Sequence, residues 1–520
     1  MRSSGPLMAK KRTHRHSGHN WKKFIHRGRG SCFARGTRVG MIADCGYTGR
    51  ATINVLPDDV LLDIFDFCLE QPRELYVDRI KTWQRLAHVC GRWRDVIFQS
   101  PRRLNLQILC TVKTPAKEML DIWPALPLTV LVGYFPPTSS TEHITSALEH
   151  RDRTHKISIG SPSMSMLESL LSVMQQPFPV LTSLNLSLYG RIASHTRIPD
   201  SFLGGSTPLL QYLSLENVSF PALPTLLSSA TNLVTLSLQN VPDSGYISAE
   251  AMIISLSHLT KLESLKLRFQ SSRSCRGREV QYSPLPTRVV FPVLTSFEFR
   301  GVSDYLEVLV ARIDAPLLNY FETTFFSQAE FHTSHLSEFI SRVPKFQALK
   351  EARVVFSGGN ISVRVPSPTE PLGQTVLTMG ISHQDPNWWP SSVARLFTSS
   401  FPAFVTVEHL YMRLPPAHWQ VTEDSEWLEF LHPFAAVKNL YLSQKIGVHV
   451  APALKELAFD ERLTEELPAL QNIFLADHQP TGSVQEAINY FAYTRWVSGQ
   501  PVAVFQWEVE KSMRWEIYEG

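Results

Sequence analysis

Few residues of this chain are spaced for bond-making chemistry. The acidic neighbours Asp58/Asp59 and Asp424/Glu426 are close in sequence, but nothing positions one carboxyl as a proton donor against the other as an acceptor. His332 and His335 lack a third ligand at a workable spacing. Cys32, Cys45, Cys68, Cys90, Cys110 and Cys275 include no C-x-x-C pair and no zinc or disulfide pattern. There is no G-x-x-x-x-G-K loop followed by Ser or Thr, no G-x-S-x-G elbow and no H-E-x-x-H pair. Ser357-Gly358-Gly359-Asn360 reads as a turn. The expectation is no catalytic residue, no metal site and no cofactor. What remains is recognition chemistry, carried by apolar and aromatic side chains at helical and strand spacing.

With 520 residues, 43% of them apolar, the chain suffices for several domains or one long repeat array. No apolar run approaches the roughly eighteen residues that a membrane-spanning helix needs. The first residues carry no apolar signal core, and free thiols fit a reducing compartment. A cytoplasmic or nuclear location away from membranes is expected. The formal charge of +3 is unevenly spread. Residues 1–40 hold eleven Lys and Arg and no Asp or Glu, which leaves 39 basic and 47 acidic residues in the remainder. The basic arm, with Ala9-Lys10-Lys11-Arg12-Thr13-His14-Arg15, reads as a solvated disordered tail. An import signal, a nucleic-acid patch and a mitochondrial presequence stay open.

The elements that would present a recognition surface begin with Leu56-Pro57-Asp58-Asp59-Val60-Leu61-Leu62-Asp63-Ile64-Phe65. Pro57 suits the first helical position, and the acids after it favour the positive end of a helix dipole. Val60, Leu61, Ile64, Phe65, Cys68 and Leu69 predict one apolar stripe. A second helix is predicted beyond Pro72, with Trp83, Leu86, Ala87, Cys90, Trp93 and Ile97 on one face.

These two segments, in order, resemble the F-box, a short helical module that ties proteins to the adaptor of a cullin–RING ubiquitin ligase. The pattern's first half is met by Leu56, Pro57, Asp59, Val60, Leu61, Ile64 and Phe65. The second is met by Val89, Cys90, Arg92 and Trp93, followed by Ser100-Pro101. The family's usual glutamate is replaced by Asp59, and the linker Glu70 to Lys81 is long. The resemblance covers residues 53 to about 103. It implies contact of a Skp-type adaptor, and through it a cullin, by Leu56, Pro57, Asp59, Val60, Leu61, Ile64, Phe65, Leu86, Val89, Cys90 and Trp93. For each of these a core role inside the box is the competing reading, and for Leu86 and Cys90 it is the favoured one.

From residue 181 a phrase recurs, with apolar residues at a first position, +3 and +5. Clear copies are Leu181/Leu184/Leu186, Leu210/Leu213/Leu215, Leu233/Leu236/Leu238 and Leu262/Leu265/Leu267. Aromatic and looser versions run to Leu470/Ile473/Leu475. First positions lie 23 to 33 residues apart, except for one gap of 58 that suggests a degenerate or missing copy near 372–380. Such a period marks a solenoid whose units bury their apolar faces on each other. The fold class expected is α/β: a small all-helical box, then an irregular leucine-rich-repeat-like solenoid with parallel strands. It resembles the divergent repeats behind the F-box of mushroom-type fungal proteins. Asparagines expected at +8 are missing or shifted, with Asn217 and Asn240 one position early.

The expected organisation is a basic arm at 1–50, the box at 53–103 and a connecting region with first irregular repeats at 104–180. The solenoid follows at 181–480, then a helix–strand cap at 481–520. The +4 residue of each phrase should point away from the core, onto the concave face. That column reads Asn185, Ser214, Ser237, Lys266, Glu298, Glu322, Arg353, Tyr411, Tyr441, Phe474. Its late part, Arg353, Tyr411, Tyr441 and Phe474, is the candidate target-binding patch. Ser271 to Arg278 reads as a polar loop between units. The function expected is substrate recognition for a ubiquitin ligase, with an unknown protein as target. A non-degradative scaffold, or a nucleic-acid-associated protein using the basic arm, are the other readings; strong salt dependence would mark the last.

Overall fold

The computed structural model describes residues 56–69, 83–112, 116–133, 141–160, 162–189, 196–272, 288–328, 331–347, 349–357, 360–366, 375–382, 406–413, 425–459, 465–476 and 482–507. The chain divides into two units, Met1–Pro57 and Asp58–Gly520. The basic arm, most of the polar loop from Ser271 to Arg278 and the linker Glu70 to Lys81 lie outside the described residues.

The strand phrase becomes one sheet. In chain order its strands begin with β1 (Ile108–Thr111), β2 (Leu128–Val132), β3 (Thr154–Gly160), β4 (Ser183–Ser187), β5 (Tyr212–Glu216), β6 (Thr235–Val241) and β7 (Ser264–Phe269). After a short strand β8 (Val289–Val290) come β9 (Ser296–Gly301), short β10 (Ile313–Asp314) and β11 (Tyr320–Phe326). The remainder are β12 (Glu351–Ser357), β13 (Asn360–Pro366), β14 (Thr375–Ser382), β15 (His409–Arg413), β16 (Asn439–Leu442), β17 (Asn472–Ala476) and β18 (Ala503–Trp507). The two short strands pair only with each other, and the other sixteen share the sheet. This is a mixed α/β fold with a long, mainly parallel sheet.

The +3 and +5 residues face inward. Leu184, Leu213, Leu236, Leu265, Phe297 and Phe321 stand in one register row, each fully buried. Helices between strands complete the core, among them Leu223–Ser229 and Ala249–Leu256, which bury Leu226, Leu227, Ile253 and Leu256. Ser163 and Ser248 start two of them, their hydroxyls accepting from Met166 and Ala251 amides at 3.3 Å. A third helix is capped from a distance. The buried Glu307 carboxylate accepts from the Leu336 amide at 2.7 Å and the His335 amide at 2.8 Å, at the start of helix Ser334–Arg342. This stitches one repeat's helix to the next.

Three features depart from a regular parallel array. First, β13 pairs antiparallel with both β12 and β14, so the spatial order runs β11-β14-β13-β12-β15. The copy expected near 372–380 is therefore present as β14, with Leu377 and Met379 opposite Phe321 and Thr323. A hairpin carries it out of sequential order. Second, Asn217 and Asn240 have φ of 56° and 50°. They turn the chain after β5 and near the end of β6, in the left-handed region that asparagine tolerates. Third, the sheet starts at Ile108, well before the first apolar phrase at 181. Toward the C-terminus the helix Gly482–Val497 leads into β18.

Cys110 in β1 is fully buried, and burial pushes its thiol pKa up to about 11. The protonated thiol is what the fold favours. That contribution is complete below the unfolded value near 9 and is lost as pH rises toward 11. Alkylation of the native chain at mildly alkaline pH is expected to modify the half-buried Cys68 and Cys90 and to spare Cys110. Peptide mass mapping checks this, and Cys110 reacting at the rate of Cys68 contradicts it.

Candidate functional site

Two surfaces stand apart from the core. The first is built on the helix Asp58–Leu69. Asp58 opens it and accepts from Arg92 Nη2 at 2.6 Å, while Asp63 pairs with Arg103. Leu61 and Phe65 are fully buried, and Leu62 and Leu69 nearly so. Phe65 lies 4.8 Å from Trp93 between ring centroids. The predicted single stripe is thus two. Leu61, Leu62, Phe65 and Leu69 face the module's own core. Val60, Ile64 and Phe67 recur at steps of four and three on another side, where Ile64 is half-buried, Val60 is 37% exposed and Phe67 is 67% exposed.

The predicted second helix is broken. Residues 83–87 are helical, 88–90 turn, and a new helix runs Gly91–Gln99 from an extended Cys90 (φ −157°). The break leaves Val89 59% exposed at the turn, with Leu86, Cys90 and Trp93 half-buried. Asp59 and Pro57 are exposed and Leu56 is half-buried. Of the candidate contact residues, Leu61 and Phe65 thus serve the interior in this state, and Val60 and Val89 offer apolar surface.

Trp83 and Phe67 are absent from the candidate contacts. Trp83 is buried, and its indole N–H donates to the Gln107 carbonyl at 2.9 Å. Its ring meets Trp123 at 5.2 Å and Phe98 at 6.2 Å. Gln107 precedes β1, and its side chain accepts from Thr129 in β2 at 2.8 Å. The helical module is therefore fastened to the first strands. Phe67 lies outside the family motif, and its signal was the helical spacing from Val60 and Ile64.

The second surface is the open face of the sheet. The whole +4 column lies in one cross-strand row, from Asn185 through Ser214, Ser237, Lys266, Glu298 and Glu322. It continues through Thr378 and Arg364 of the hairpin to Arg353, Tyr411, Tyr441 and Phe474, and ends at Phe505. Tyr411 and Tyr441 stack at 4.1 Å, Tyr441 and Phe474 at 4.5 Å, and Phe474 and Phe505 at 5.2 Å. The Arg353 guanidinium lies 5.9 Å from the Tyr411 ring and pairs with Glu351 at 2.6 Å. Burial, then Glu351, hold the Tyr411 phenol well above the usual tyrosine range, so it stays neutral. Alongside, Asn472 donates to Asn439 at 2.8 Å, in a parallel row of amides.

Among the described residues no group of three His, Cys, Asp or Glu side chains is placed to hold a metal ion. No described helix is long and apolar enough to cross a membrane.

Comparison with known proteins bears on the first surface. Residues 53–105 match the F-box-like family model. Among solved structures, the leucine-rich repeat-containing protein LegL7 from Legionella pneumophila is similar at 14% identity and a TM-score of 0.25, over 62% of this chain and 93% of that one. A search of curated proteins finds no match.

Proposed function

We propose that this chain is the substrate-recognition subunit of an SCF-type cullin–RING ubiquitin ligase. Its F-box-like domain binds the Skp-type adaptor, the adaptor joins it to a cullin, and the open face of the sheet holds a protein target. One observation carries the reading: an F-box-like helix bearing an uncovered apolar stripe, Val60–Ile64–Phe67, is fastened through Trp83 to the strands that would carry the target. An uncovered stripe beside an already filled core suits a partner helix. On this reading Val60, Phe67 and Val89 are the main apolar contacts, with Ile64, Leu86, Cys90 and Trp93 at their margin. Leu56, Pro57 and Asp59 contact the adaptor from the start of the module. Leu61 and Phe65 shape the surface from beneath.

The chain supplies binding, and bond-making belongs to other subunits. A fixed joint between box and sheet raises the effective concentration of target lysines at the ubiquitin-carrying partner. Arg353, Tyr411, Tyr441 and Phe474 are the proposed target contacts, joined by Phe505.

Mixing the full chain with purified Skp-type adaptor tests the ligase connection. The intact chain is expected to co-purify with it. A Val60→Asp, Phe67→Asp double variant should bind about 100-fold more weakly, as expected for two apolar anchors at roughly 1.5 kcal/mol each. Both positions are exposed, so the circular dichroism of the variant should be unchanged. Undiminished binding by a folded double variant contradicts the proposed surface.

A further inference from the structure

The open face also carries a charge arrangement that does not close on itself. Arg268 in β7 stands directly opposite Arg300 in β9. Like charges in that position repel and destabilise a strand pair. The nearby carboxylates do not relieve it evenly. Arg268 takes Glu298 at 2.7 Å and Glu322 at 3.1 Å, and Lys266 also takes Glu298, at 2.9 Å. Tyr320 donates to Glu322 as well. No carboxylate among the described residues reaches Arg300. Its Nη2 donates to Ser382 Oγ at 3.1 Å, and its buried Nε has no acceptor.

A guanidinium offers five N–H donors in a fixed fork, and a buried donor left without an acceptor costs free energy. Arg300 is nonetheless held in place, its guanidinium 5.5 Å from the Phe326 ring centroid. Burial and the charge of Arg268 both lower its affinity for its own proton. An oxyanion would supply acceptors for the Nη groups, which are not buried as Nε is, neutralise the facing arginines and accept from the Ser382 hydroxyl. The motif recurs along the sheet, where the exposed Arg364 in β13 stands opposite Arg353 in β12.

We propose that Arg300, backed by Arg268, is a binding point for an anionic group, a carboxylate or a phosphate, on the protein that the open face receives. This rests on the reading of that face as the target surface, and it is independent of the adaptor. The partner is thus an acidic or phosphorylated protein segment. Three strand spacings across the sheet and two residues along it separate Arg300 from Arg364, roughly 16 Å, so a segment with anionic groups about five residues apart would reach both together.

The test is fluorescence anisotropy with the full chain and short labelled peptides: one of glutamates, one of matching length with phosphoserines, and one of glutamines. Wild type should bind at least one acidic peptide and leave the glutamine peptide free. Arg300→Met, which keeps the apolar contact with Phe326, should weaken that binding about tenfold, the effect of one bidentate charge-assisted pair. Whichever acidic peptide loses more identifies carboxylate or phosphate as the group. Acidic-peptide binding unchanged by the substitution assigns it elsewhere, the basic arm included, and overturns the proposal, as does failure of wild type to bind either acidic peptide. Arg300→Lys, which keeps the charge and loses the fork, serves if Arg300→Met does not fold: weaker binding supports the proposal and equal binding overturns it. None of these outcomes depends on adaptor binding, so this site and the ligase reading fail separately.

Discussion

Replacing Trp83 with alanine is expected to lower stability by about 3–5 kcal/mol, the usual range for a large aromatic removed from a core. Trp83 is 2% exposed and lies at the centre of a cluster with Phe98 and Trp123. The substitution removes that packing and leaves the Gln107 carbonyl without its indole donor. The loss falls on the joint between helical module and sheet. In denaturant the helices around Phe65 and Trp93 of the variant should therefore melt ahead of the repeats, at lower denaturant than in wild type. Trp83→Phe keeps much of the packing and loses the N–H, so it should cost about 1–2 kcal/mol. A Trp83→Ala chain that unfolds in one step within about 1 kcal/mol of wild type would show that the joint carries no load.

The other end of the array depends on Arg495 in a comparable way. Its side chain is fully buried in the last described helix and donates to the Leu467 carbonyl at 3.1 Å and the Glu466 carbonyl at 3.4 Å. Leu467 has φ of 48°, a left-handed conformation that leucine adopts at a cost. Arg495 thus pins a strained turn just before β17 to the helix that covers the end of the core. Its guanidinium carbon lies 5.9 Å from the centroid of the Phe491 ring. Arg495→Ala is expected to cost about 3–5 kcal/mol, through unpaired carbonyls and an unfilled site. Thermal unfolding checks this. A loss below about 1 kcal/mol for Arg495→Ala contradicts the capping role.

Strand positions were readable where the first residue of the phrase is apolar, because strand period and core burial then coincide, as at Leu184 and Leu213. They were hidden where a polar residue takes that place. Thr154 stands ahead of Ile157 and Ile159 at the same +3 and +5 spacing. It is fully buried, and its hydroxyl donates to the His150 carbonyl at 2.8 Å. A search for apolar residues alone passes over it, and β3 with it. The hairpin that places β14 beside β11 was equally hidden, since spacing along the chain carries no information on spatial order. In the helical module the motif named the right segment but not the sides of its helix. Leu61 and Phe65 face the interior and Phe67 faces out, a division that depends on where the helix Gly91–Gln99 packs. The aromatic row was predicted as a column of residue types. Its stacking, from Tyr411 to Phe505, follows from registers that only the assembled sheet defines.

Hydrogen exchange of the full chain, with and without the Skp-type adaptor, tests the central claim most directly. The adaptor should slow exchange in the helix Asp58–Leu69 and at the turn around Val89, and leave the amides of β4 to β17 as they are in the free chain. Protection confined to the sheet, or no protection at all under conditions where the adaptor is folded and in excess, would contradict an adaptor-binding role for the module.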